Sequence, residues 1–185
     1  MDHAVTRPLP DYEADDVLVV YEPERLRALA DELRAKIVLL LRERARSTKE
    51  LADELGLPKG TVGHHLKVLE SADLIRVVRT RQVRAVTEKF YGRTARLFVM
   101  KGEEDPALGA TLKQVALRHA AEEIGRAAEP TVASTQSFLH VRLGAADARR
   151  FERRLERLVD DFRAAESPDG QTYGLVTALY PLDDE

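Results

Sequence analysis

Apolar residues between Leu26 and Leu41 recur at helical spacing: Leu26, Leu29, Ala30, Leu33, Ile37, Leu40 and Leu41 fall on one stripe. The pattern predicts a first helix from about Pro23, where proline suits the first turn, to about Ala45. Ahead of it, Asp16 to Tyr21 reads as a short strand or an apolar clip. Ser47-Thr-Lys-Glu50 has a hydroxyl followed three residues later by a glutamate, the pattern of a capping box, and predicts a second helix there. Leu51, Ala52 and Leu55 turn inward, and Gly56 ends the helix as a left-handed glycine does. Leu57-Pro58 forms the turn, and a third helix runs from about Lys59 to Ala72.

The period then changes from helical to alternating. Ile75–Arg79 and Gln82–Val86, rich in valine and separated by Thr80-Arg81, predict a hairpin with Phe90-Tyr91-Gly92 at its exit. The two-residue gap lacks the glycine and asparagine of a tight turn, so a wider loop is expected. Beyond Pro106, Leu108, Leu112, Val115, Ala116, Ala120, Ile124 and Ala127 predict a long amphipathic helix. Ser134–Leu143 alternates, Phe151, Leu155, Leu158, Val159 and Phe162 form another helix stripe, and Gln171–Leu182 reads as a last strand. This strand–helix–strand unit needs a further element or a second chain, because two strands cannot bury both faces alone. The expected fold class is α+β, mainly α with small β. The expected organisation is a flexible acidic tail over 1–15, a first domain over 16–100 and a C-terminal domain over 106–185.

Charge sharpens the picture once it is divided. The 185 residues sum to −3. Between Lys59 and Arg96, however, nine Lys or Arg face only Glu70, Asp73 and Glu88, a local +6 that leaves −9 for the rest. A basic segment in an acidic chain points to an anionic partner at that place. With no cysteine, disulfides and thiolate metal sites are excluded. The longest apolar run, Ile37–Leu41, is far short of a membrane span, and the acidic N-terminus lacks the apolar core of a secretory signal. A soluble, cytoplasmic protein is expected. No glycine-rich phosphate loop, nucleophile elbow or metal-ligand cluster is present, so an enzyme is not expected, and neither catalytic residues nor cofactors are assigned.

Helix, helix, tight turn, helix and basic hairpin is the plan of a winged helix-turn-helix. Ala52 is small where two helices cross, Leu57 points into their angle, and Val62, Leu66 and Leu69 share the inner face of the third helix. That geometry leaves Lys59, Thr61, Gly63, His64 and Lys67 outward, as a recognition helix in a major groove requires. Gly60 and Gly63 permit close approach. Arg79, Arg81 and Arg84 on the wing would lie beside flanking phosphates, which supply affinity more than specificity. His64 and His65 do not share a helix face, so they are not a chelating pair, which wants a spacing of three or four. His65 is expected to pack and to bond backbone near the turn; Phe90 and Tyr91 are expected to pack the wing on the first helix. His119 and His140, with Asp183-Asp184-Glu185, are weighed as a metal or effector set and read instead as unrelated histidines, so no metal site is assigned. The arginines from Arg149 to Arg154 read as an exposed helix face with i, i+4 pairs.

The segment from Ser47 to Arg96 resembles the arsenic-repressor (ArsR) type of winged-helix transcriptional regulator, in its larger form with a C-terminal extension. The resemblance rests on the Glu50-Leu-Ala turn with Leu55-Gly-Leu57, on Thr61-Val62 with His65-Leu66 and Leu69-Glu70, and on Phe90-Tyr-Gly-Arg-Thr-Ala95. It covers about residues 20–100. The resemblance implies a homodimer that binds double-stranded operator DNA, usually a repressor released by a signal. It implies no metal here, because the helix ELADELGL has no cysteine. It names no ligand for 106–185, where a small-molecule effector stays open. The alternative is a winged-helix module that docks a protein without reading DNA.

Overall fold

The computed structural model describes residues 10–83, 86–100, 105–126, 135, 137, 139–167 and 170–182. In chain order the elements are strand β1 (Asp15–Val20), helices α1 (Pro23–Leu29) and α2 (Glu32–Leu40), and strand β2 (Arg46–Ser47). Helices α3 (Thr48–Leu55) and α4 (Lys59–Ser71) follow. Strands β3 (Ile75–Val83), β4 (Val86–Arg93) and β5 (Ala95–Met100) precede helices α5 (Pro106–Arg126) and α6 (Ala145–Ala164). The chain divides into two compact units, 1–116 and 117–185.

The single first helix expected over Pro23–Ala45 is two helices. Asp31 takes an extended backbone and its carboxylate accepts from the Arg34 N–H at 2.9 Å, capping α2 afresh. Arg34 then satisfies the loose end of α1, donating to the Ala28 carbonyl at 2.6 Å and the Arg27 carbonyl at 2.9 Å. The capping box at α3 is complete: Glu50 N–H donates to Ser47 Oγ at 3.3 Å, and Ser47 N–H donates to the Glu50 carboxylate at 2.7 Å. Gly56, at φ 65°, ψ 31°, closes α3 in the left-handed region that glycine occupies without a Cβ penalty.

Val62, Leu66 and Leu69 of α4 are buried against Leu51 and Ala52 of α3, Ile37 and Val38 of α2, and Leu26 and Leu29 of α1. Leu112 of α5 joins the same core. Arg25 ties α1 to the end of α4, donating to the Ala72 carbonyl at 3.1 Å and pairing with Asp73 at 3.1 Å.

Strands β2, β4 and β3 form an antiparallel sheet in that order, and β1 pairs in parallel with β5. The hairpin is longer than expected and turns later. Thr80 and Arg81 lie inside β3, opposite Lys89 and Glu88, with a bulge between Val77 and Arg79. Phe90, Tyr91 and Gly92, expected at the exit, are ladder residues of β4. Residues 10–14, expected in a mobile tail, are hydrogen-bonded to the body: Asp11 N–H donates to the Glu43 carbonyl at 3.0 Å, and Asp11 Oδ1 accepts from Ala45 N–H at 2.7 Å. The rest of that tail, 1–9, lies outside the described residues.

In the second unit α6 carries the expected apolar stripe. Its ion pairs are Arg150–Asp147 at 3.0 Å and Arg163–Asp160 at 3.5 Å, at i, i+3 rather than i, i+4. The described residues of 139–144 and 171–182 form no strand ladder, and Leu139, Val141, Tyr173, Leu175 and Leu179 are exposed. The helix of the expected strand–helix–strand unit is therefore present, while the described residues of its flanking segments are not assigned to strands.

Candidate nucleic-acid interface

Helix α4 is held by three buried residues on one face, so its opposite face is presented outward. Lys59, Thr61, His64 and Lys67 are exposed. Gly63 is only half-buried and turns toward α3: a Cβ there would sit 4.0 Å from the Thr48 methyl. It belongs to the α3–α4 crossing more than to the outer face. Neither Lys59 nor Lys67 lies within ion-pair distance of a described carboxylate.

The two histidines separate as helical geometry requires, and their rings meet edge-on at 5.5 Å and 78°. His64 is exposed. The His65 side chain keeps 17% of its surface open, with Nδ1 3.8 Å from Asp31 Oδ1, too long for a hydrogen bond. That nitrogen is buried with no hydrogen-bond partner among the described residues. His65 therefore faces the carboxylate that caps α2, not the backbone of the turn.

The wing cations are exposed but already engaged. Arg79 pairs with Asp11 at 3.4 Å and Arg81 with Glu88 at 2.7 Å. Both guanidiniums lie over the Phe90 ring, at 4.9 and 5.4 Å from its centre. Phe90 is buried under the wing arginines, and Tyr91 is half-buried against the main core. The Arg81 hydrogen bond holds the Glu88 carboxyl below its ordinary range, with the Ser47 hydroxyl adding to it. Arg84 lies outside the described residues.

Two cations escaped sequence reasoning. An open groove of about 450 Å³ beside α4 is lined by Arg27 and Arg34 together with His64, Lys67 and Glu24. Arg34 is committed to the end of α1, so Arg27 is the cation this groove adds to the α4 face. Finding it needs the α1–α2 break, which the continuous apolar stripe conceals. Among the described residues, no group of three or more His, Asp or Glu could hold a metal ion, and Asp183, Asp184 and Glu185 lie outside them. No described helix is long and apolar enough to cross a membrane.

The arrangement is a helix with an outward polar and cationic face, flanked by a twisted basic hairpin. A family model for a helix-turn-helix domain matches residues 29–78. The HTH-type transcriptional repressor SmtB of Mycobacterium tuberculosis is 48% identical over 52 residues, 28% of this chain and 38% of that protein. The HTH-type transcriptional regulator KmtR of the same organism is 41% identical over 75 residues, 40% of this chain and 52% of that one. The chain thus matches about half or less of the length of these curated relatives. Among solved structures, a homodimeric winged helix-turn-helix DNA-binding domain from Mycobacterium bovis is similar at 21% identity and a TM-score of 0.33. That domain is described as from a possible ArsR-family regulator, and the match covers 55% of this chain and 80% of it.

Proposed function

We propose that this chain, an ArsR-type winged helix-turn-helix protein, is a sequence-specific double-stranded-DNA-binding regulator of transcription, acting as a homodimer and as a repressor. The observation that carries the reading is the outward face of α4, where Lys59, Thr61, His64 and Lys67 are exposed while Val62, Leu66 and Leu69 are buried. A major groove admits one helix, and its base edges are read by side chains near that helix's N-terminus. Thr61 and His64 stand where base edges would be read, Gly60 allows close approach, and Lys59 and Lys67 are placed for phosphates. Arg79, Arg81 and Arg84 of the wing extend the phosphate contacts.

Dimerisation is assigned to α5 and the second unit. The exposed apolar residues of 139–143, α6 and 171–182 support this, because a second copy would bury them. Residues 106–185 are the region in which a small-molecule effector would be sought.

Selection of duplexes from a random pool tests the reading. The expected result is a two-fold symmetric site bound with a steep salt dependence, weakened by Lys59→Ala and Lys67→Ala. Pairing of Arg79 and Arg81 with carboxylates favours a second reading, a winged helix that docks a protein. Failure to enrich any duplex, with the chain folded, would select that one.

A further inference from the structure

We propose that the acidic strap Pro10–Asp16 is a built-in competitor for the wing's phosphate contacts, so that DNA must displace its Asp11 carboxylate from Arg79. The inference rests on the DNA-binding reading above and adds a device that sets its affinity.

The strap is anchored rather than loose. The Tyr12 hydroxyl donates to the Leu41 carbonyl and accepts from Arg93 N–H at 3.0 Å. Its ring covers Gly92 so closely that a Cβ there would come within 2.7 Å of it. Asp15 N–H donates to the Thr94 carbonyl at 2.9 Å, where the strap becomes β1. These contacts fix the segment against β4 and the end of α2.

The strap is also aimed. Asp11 Oδ2 lies 3.4 Å from Arg79 Nη1, and the Glu13 carbonyl accepts from Arg76 Nη2 at 2.9 Å. The four acids between Pro10 and Asp16 line an open groove of about 890 Å³ with Arg76, Arg79 and Arg96. An anion on a half-exposed guanidinium has the chemistry of a backbone phosphate. The Arg79 side chain keeps 49% of its surface open while Asp11, at 19%, is held by Ala45 N–H, so the arginine is the partner that can turn from the carboxylate to a phosphate. A duplex meeting the wing therefore meets carboxylates first, and it gains Arg79 only by replacing one.

The test uses the full chain, a duplex recovered by selection and a random duplex, with binding measured across salt concentrations. Asp11→Asn removes the charge while its amide oxygen can still accept from Ala45 N–H, and thermal unfolding checks that the fold is kept. The expected result is about three- to tenfold tighter binding of both duplexes, with a salt slope steeper by about one. In an Arg79→Ala background the same substitution should change neither. Unchanged or weaker binding by Asp11→Asn, with the parent binding DNA, overturns the competitor and leaves the DNA reading standing. Tightening that persists without Arg79 also overturns it. A parent chain that binds no duplex overturns both.

Discussion

Glu88 grips Arg81 with one oxygen, Oε2, accepting from Nη2 at 2.7 Å and from Nε at 3.2 Å. The two residues are ladder partners on β4 and β3, so the pair is set by strand register rather than by side-chain search. It is the second carboxylate on a wing arginine, after Asp11 on Arg79, and Phe90 lies under both guanidiniums. Arg79 and Arg81 are therefore each partly neutralised, whereas Lys59 and Lys67 of α4 have no ion pair among the described residues.

Glu88→Gln should release Arg81 for phosphate. Exposed pairs contribute little to stability, so the midpoint of thermal unfolding should scarcely move. Binding of any duplex should tighten a few-fold, with a steeper salt slope. Titrations at several salt concentrations check this; weaker binding would mean that Glu88 orients Arg81 for its phosphate.

Gly92→Ala should destabilise the first unit. A Cβ at that position would lie 2.7 to 2.9 Å from three atoms of the Tyr12 ring. The ring cannot simply swing away, because its hydroxyl is held by Arg93 N–H and the Leu41 carbonyl. Overpacking of this kind costs about 1–3 kcal/mol. Thermal unfolding should show the loss, and in a Tyr12→Ala background the further loss should be much smaller, since touching residues are not additive.

Much of this architecture was legible because its causes are local. Ser47 and Glu50 cap a helix within one turn, Gly56 takes a left-handed bend, and Val62, Leu66 and Leu69 share a face at helical spacing. Where the partner is distant in sequence, the signal fails. The apolar stripe from Leu26 to Leu41 runs across the break at Asp31 without a gap, and what makes the break is one carboxylate capping α2. The strap looked like a tail because Pro10, Asp11 and Glu13 carry no periodicity, yet Tyr12 reaches Leu41 and Arg93. The parallel pairing of β1 with β5 joins residues some eighty positions apart, which no short window displays. Type and spacing single out the candidates Lys59, Thr61, His64 and Lys67, whereas they do not show the anions that occupy Arg79 and Arg81. Gln171–Leu182 has a strand's composition but is not assigned to a strand among the described residues.

Stability should fall at alkaline pH, and Tyr12 should account for part of it. Burial raises its phenol pKa, outweighing the hydrogen bond from Arg93 N–H that lowers it. The folded state therefore keeps its proton to higher pH than the unfolded chain, whose tyrosines titrate near pH ~10. Once the unfolded state binds fewer protons, stability decreases with pH. The contribution is whole below the unfolded pKa and is lost as pH rises through the folded one. Tyr12→Phe should lower stability near neutral pH by about 0.5–1.5 kcal/mol per hydrogen bond lost and make the alkaline decline shallower. A decline should persist, because burial also raises the Tyr91 pKa. Denaturant unfolding from pH 8 to 11 on both chains measures the difference, and identical slopes would remove Tyr12 from the account.

His64 and His65 give the sharpest contrast, since adjacent residues on α4 are expected to fail in different ways. His64 is exposed on the outward face, so His64→Ala should leave thermal unfolding within about 0.5 kcal/mol of the parent. If it touches a base edge, losing it should change which duplexes are enriched from a random pool, while binding of random DNA stays the same. His65 is mostly buried beside Asp31, so His65→Ala should lower stability by about 1 kcal/mol through lost packing. The choice of sequence should stay with the parent's, because the ring does not reach the outward face. Selection and thermal unfolding on both variants decide the matter. A stable His65→Ala chain with altered sequence choice would reverse the inside and outside of α4.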